Sequence, residues 1–239
     1  MRAVFCIFTL TTACILIAAS CRQETPARWL EPSTEPYDPT RMGTAAGRMA
    51  EWLAVNNPTA ALALQPGLDA AAVTARSQTE GCALPEEVTA LLRWHNGMRA
   101  ATDVPLIWYH RVLSLEDSFE RRRTYRNPVL RATLPLPDDW FPIFEFQGEF
   151  YFTRCQSEQP QASIWHWSGE DPELRPVFGS LAALLETALA WYERGAVWVA
   201  DPNTGMLDSN LAQVFGIYSE LNPGYTFPYH VPEVERPAR

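Results

Sequence analysis

Residues 84–97, Leu-Pro-Glu-Glu-Val-Thr-Ala-Leu-Leu-Arg-Trp-His-Asn-Gly, constrain the fold more than any other stretch, because they spell a helix with both ends specified. Pro85 has its φ preset and lacks the N–H that a first turn leaves unsatisfied, so it predicts the first helical position. Glu86 and Glu87 place negative charge at the positive end of the helix dipole. Val88, Leu91, Leu92 and His95 recur at i, i+3, i+4 and i+7, which predicts one buried stripe with Leu84 beside it and His95 packed within it. Arg93 falls in the last turn, and Asn96-Gly97 supplies residues that accept the left-handed conformation in which helices end.

The same signals organise the flanks. Met49, Trp52, Leu53 and Asn56 share a helical face, with order beginning near Gly43 and Asn57-Pro58 ending that helix. Gln65-Pro66-Gly67 reads as a turn, and Leu68–Thr79 as a second helix that Gly81 closes. After Gly97 the period shortens. Val104–Tyr109 and Arg111–Leu113 are short and rich in strand formers, and Ser114 starts a helix running through Arg123. That helix carries Arg121, Arg122 and Arg123, with Arg126 beyond it, a cluster expected to be a solvated, salt-bridged face. Trp140–Phe146 and Glu149–Arg154, joined by Gln147-Gly148, predict a hairpin. Both of its faces carry aromatics, which leaves the core face open. Ala162–Trp167 and Leu174–Phe178 are further strands, and Ser180 caps a helix whose stripe is Leu181, Leu184, Leu185, Ala188 and Tyr192. Leu211–Tyr218 reads as a last helix.

The first 21 residues are an address rather than structure. Arg2 is a minimal positive region, Ala3–Ile17 an apolar run, and Ala18-Ala19-Ser20 are small residues before Cys21. A cysteine at that point resembles a bacterial lipobox. The resemblance implies cleavage before Cys21, diacylglycerol on its sulfur and acylation of its amine, which anchors a chain firmly without spanning the bilayer. An ordinary secretory signal and a short uncleaved anchor are the alternatives. Arg22 rather than Asp after the cysteine implies outer-membrane sorting in enterobacterial lipoproteins. Residues 21–42, with Pro26, Pro32, Pro36 and Pro39, read as a semi-extended tether. The expected organisation is a signal peptide over 1–20, the lipidated tether over 21–42, one domain over 43–230 and a loose tail over 231–239. The expected location is the cell envelope, on the periplasmic side of a bacterial membrane.

Charge excludes one class of ligand. The net charge is −9, and it becomes −10 once Arg2, the only charge in residues 1–20, is removed. An acidic chain does not bind nucleic acid by its surface field, so no nucleic-acid partner is expected. All basic residues are Arg, with no Lys in the chain. With Cys6 and Cys14 in the signal and Cys21 lipidated, Cys82 and Cys155 are the thiols left in the folded part. They are free to form one disulfide or to stay as separate buried thiols.

Catalytic signatures are missing: there is no G-x-S-x-G, H-E-x-x-H, Walker loop, G-x-G-x-x-G or C-x-x-C. The four histidines, His95, His110, His166 and His230, are spread one to an element. Asp138-Asp139, as neighbours between Pro137 and Trp140, read as turn formers rather than as an acid pair. Trp165 and Trp167 share one strand face and His166 takes the other, and burial of the tryptophan pair against helices is the expectation. An enzyme using Asp138, Asp139, Glu145 or His166 is the competing reading, and it requires those groups to converge. A structural lipoprotein without a specific ligand is a third.

A Gly-x-x-Leu-Pro-Glu-Glu start and a helix ending in His-Asn-Gly resemble the signature of the SUKH superfamily, which includes Smi/Knr-like regulators of yeast cell-wall assembly and many bacterial immunity proteins. Here the matching residues are Gly81, Leu84, Pro85, Glu86, Glu87, Asn96 and Gly97. Trp52, Asn57-Pro58 and Leu64–Gly67 resemble the family's upstream elements. Leu113–Glu116, Trp140-Phe141-Pro142-Ile143, Phe178–Leu181 and Asn222-Pro223 resemble its downstream ones. The resemblance covers about residues 47–225. It implies an α+β fold with a mostly antiparallel sheet and helices packed against it, and a protein-binding module without catalysis, cofactor or metal. Leu84, Pro85, Glu86, Asn96, Gly97, Trp140 and Pro142 are its framework residues. Its implied partner is a protein, such as a toxin or an envelope component. Immunity members are usually cytosolic, so the exported signal of this chain argues against neutralising a nuclease.

Overall fold

The computed structural model describes residues 38–99, 104–131, 136–155, 161–169 and 174–230. All belong to the second of the two units into which the chain divides, Glu31–Arg239. The signal peptide, Cys21, most of the tether and the tail from 231 lie outside the described residues.

Helix α1 (Pro39–Asn56) starts upstream of Gly43, where order was expected. Asp38 accepts the Thr40 amide at 2.8 Å, and Pro39 occupies the first turn, so this proline begins a helix instead of interrupting one. Asn57 ends α1 and caps α2 (Pro58–Ala63) through its own side chain. The Gln65-Pro66 turn is corrected to a strand, β1 (Leu64–Pro66). Helix α3 (Ala70–Thr79) starts two residues later than the expected Leu68, because the Asp69 side chain accepts the Ala71 amide at 2.7 Å and caps it.

Helix α4 (Glu86–Trp94) departs from its expected ends. Pro85 is its N-cap rather than its first residue, and the helix stops at Trp94. His95–Met98 form strand β2, antiparallel to β1. Gly97 therefore does not close the helix; it sits in the strand with φ of 70°, where a Cβ would lie 2.2 Å from the Ser114 nitrogen. Pairing with β1 has overridden a local stop signal that was written for a C-cap. Leu113 also donates its amide to the Ile143 carbonyl at 2.8 Å, which holds this backbone against Gly97.

Next come β3 (Arg111–Val112), α5 (Leu115–Tyr125), the short α6 (Pro128–Arg131), β4 (Trp140–Phe146), β5 (Glu149–Arg154), β6 (Ile164–Trp167) and β7 (Arg175–Phe178). β3 to β7 form one antiparallel sheet in sequence order. The β4–β5 hairpin turns at Gln147 and Gly148 with φ of 47° and 88°, the paired left-handed residues of a type I′ turn. Val104–Tyr109 is not a strand but a turn closed by an isolated bridge between Ile107 and His110. Helix α7 (Leu181–Glu193), the hairpin of β8 (Val197–Asp201) and β9 (Met206–Ser209), and α8 (Leu211–Leu221) complete the fold.

Both faces of the sheet are buried. One face sends Phe144, Tyr151, Ile164 and Phe178 into the main core with α1, α4 and α7. The other packs Trp140, Phe150, Phe152, Trp165 and Trp167 into a separate aromatic cluster under Tyr125, Leu136 and Leu174. The tryptophan pair is thus buried mainly among neighbouring strands, with α5 contributing Tyr125. Helices α1 and α7 are registered by Arg41 with Glu186 and Arg48 with Glu193, one pair a heptad beyond the other. The core face of α7 contains each residue of the expected stripe. Among the described residues, no helix is long and apolar enough to cross a membrane.

The disulfide alternative is realised. Cys82 bonds Cys155, tying the loop before α4 to the end of β5.

Candidate functional site

The strand period decides which side chains meet. Tyr151 of β5 lies directly across from His166 of β6, so Glu149, two residues before Tyr151, shares a face with both. On the same side, His110 enters just before β3, beside Phe146 and Tyr151. Tyr229, after α8, covers the group with its ring 5.3 Å from that of His166. His110, Glu149 and His166 each offer a ligand atom, and the three lie within 4.8 Å of one another.

This cluster is polar, inward and loosely bonded. His110 is fully buried and His166 is 6% exposed. The Tyr229 hydroxyl stands 3.5 Å from His110 Nε2, Glu149 Oε2 and the Tyr151 hydroxyl, the outer limit of hydrogen bonding. His166 Nε2 is 3.8 Å from Glu149 Oε2. The short partner of Glu149 is Ser168, whose hydroxyl donates to Oε1 at 3.2 Å. His110 Nδ1 and His166 Nε2 are buried without a hydrogen-bond partner. Burial, reinforced by the neighbouring His166, holds the His110 pKa well below the ordinary imidazole value, so its ring is neutral and keeps a lone pair. Burial likewise raises the Tyr151 and Tyr229 hydroxyls, which stay protonated.

The other candidates go elsewhere. Asp139 pairs with Arg154 at 2.8 Å, and the Asp138 carbonyl accepts from Arg122 at 3.3 Å. Glu145 is held by Arg111 at 2.8 Å and Arg121 at 3.0 Å. They do not converge with His166, so the grouping required by an enzyme of these four residues is not formed. The arginine face is corrected at one position: Arg122 points inward, 3% exposed, and donates to the Glu80 carbonyl at 3.1 Å. Arg123 keeps an outer pair with Glu80.

The framework residues surround the sheet without entering the histidine cluster. Leu84 is partly buried on the core, Pro85 is buried and Glu86 is exposed at the start of α4. Asn96 accepts the Leu115 amide at 2.9 Å through its side chain, joining β2 to the start of α5. His95 leaves the buried stripe and bonds through Nδ1 to the Gln65 carbonyl at 2.7 Å, half-buried. Trp140 anchors the aromatic cluster, and Pro142 sits at an irregularity of β4, where the missing N–H is tolerated. Glu87 departs most from its expected dipole role. It is 2% exposed, and its carboxylate accepts the amides of Ala162 at 2.8 Å and Leu181 at 3.0 Å. It therefore serves the start of α7, a helix far along the chain.

A model of the SMI1/KNR4 family (SUKH-1) matches residues 67–187, half of the chain. The chain belongs to that family. No curated protein matches it. The SUKH match begins at Gly67, whose missing side chain admits the Arg93 carbonyl, and it ends inside α7. It encloses the whole five-stranded sheet and the three potential ligands, while Tyr229 lies beyond it. Sequence reasoning missed this grouping. The available signal was His166 on the face opposite two tryptophans, but its partners depend on strand registers that no local pattern supplies.

Proposed function

We propose that this SUKH protein is a protein-binding module held on the bacterial cell envelope by lipid at Cys21, acting in immunity against an envelope-directed toxin or in regulation of the cell wall. The observation that carries the reading is the family match over 67–187, since SUKH domains are often immunity proteins or cell-wall regulators. Two features support the location. The apolar run ends in Ala-Ala-Ser-Cys, and the folded part holds a disulfide, a bond that persists in oxidising compartments outside the cytosol. The engagement of Asp139 and Glu145 in ion pairs favours binding over the catalysis weighed for them. Cross-linking in intact cells, followed by purification of the full-length protein from solubilised membranes, tests the reading. A partner should be recovered in stoichiometric amount, and be missing when an unrelated domain replaces residues 38–230, from the cap of α1 onward, behind the same signal and tether. Identical recovery from both would contradict a specific binding role.

A further inference from the structure

We propose that His110, Glu149 and His166 form a Zn²⁺ site at the polar corner of the five-stranded sheet, beside Tyr229. Two imidazoles and one carboxylate are a recurrent zinc ligand set, and neutral imidazole suits that ion. The three ligand atoms lie within 4.8 Å of one another. Atoms bound around a tetrahedral zinc are separated by about 3.3 Å, given metal–ligand distances of about 2.0–2.2 Å. Side-chain rotations that draw the groups inward by roughly an ångström therefore complete the site.

A hydrogen-bonded network without an ion is the alternative, and the distances disfavour it. Contacts of 3.5 Å and 3.8 Å are too long to satisfy the facing groups, and His166 Nε2 is left without a partner inside the protein. An unsatisfied buried polar group costs about 1–3 kcal/mol. An ion at the centre uses a lone pair of each imidazole and neutralises the carboxylate. The Tyr229 hydroxyl, at 3.5 Å from both His110 and Glu149, flanks the remaining coordination position and bonds a water held there. Glu149, with 23% of its side chain exposed, is the side from which an ion enters.

The test uses the full-length protein in detergent, stripped with chelator and titrated with Zn²⁺ against a chromophoric competitor. Wild type should take up a single equivalent, gain thermal stability with it, and give visible d–d absorption when Co²⁺ replaces Zn²⁺. Glu149→Gln, at a partly exposed position and nearly isosteric, and His166→Asn should each weaken binding by at least about 100-fold. His230→Ala should bind as wild type does. If His166→Asn fails to fold by circular dichroism, Glu149→Gln decides the matter. Absence of saturable binding, equal affinity in Glu149→Gln, or loss of binding in His230→Ala would each overturn the proposal.

Discussion

At the scale of single residues, Glu87 shows how far a family signature can be from its local meaning. Its carboxyl pKa is raised by burial, and the backbone amides it accepts offset that only in part. In the window between the usual value of 4.5 and the raised one, the folded protein holds a proton that the unfolded chain has released. Stability from this group is therefore complete below the unfolded value and is lost as pH rises through the folded one. Urea unfolding of wild type and Glu87→Gln at about pH 4 and about pH 8 should show wild type losing ground relative to the variant at the higher pH. Glu87→Ala should cost about 2–5 kcal/mol, since it strips the amides of Ala162 and Leu181 of their acceptor. A Gln-to-wild-type difference independent of pH would contradict the assignment. Gly97 carries a similar lesson: its need for positive φ was legible, but the reason is the Ser114 backbone packed against it and not the end of a helix.

At the scale of elements, what was legible was what the chain writes locally. The Gln147-Gly148 turn and the Ser114 and Ser180 caps each depend on a few adjacent residues, and each stands where the sequence places it. Where partners are remote, local patterns mislead. His95–Met98 leaves the helix because β1 is there to pair with it, and Arg122 turns inward because the Glu80 and Asp138 carbonyls receive its guanidinium. The choice between a disulfide and two thiols was open for the same reason. The Cys82–Cys155 bond closes a sequence separation of 73 residues, and restricting an unfolded loop of that size contributes about 4 kcal/mol. Reduction, or Cys82→Ala with Cys155→Ala, should lower the Tm by on the order of 10 °C. A Tm that reductant leaves unchanged would show that the loop before α4 is held by packing alone.

At the scale of the molecule, one five-stranded sheet serves three purposes. Its inner face joins α1, α4 and α7 in the main core, its other face builds the aromatic cluster, and its polar corner gathers His110, Glu149 and His166. That corner draws on β5, β6 and the approach to β3, so composition and spacing could not have announced it. The fold class could be expected in advance because the resemblance to the SUKH superfamily implies it, and the local helix and strand signals agree with it, whereas the candidate site could not, because it exists only once the strands are in register.

The proposed role rests on a SUKH domain being held at the envelope, and the proposed anchor is the lipid on Cys21. Metabolic labelling with palmitate measures it directly. The account predicts label on wild type in the membrane fraction and none on Cys21→Ala, with equal amounts of protein in both cultures. Equal labelling of the two, or an unlabelled wild type recovered from the cytosol, would contradict it.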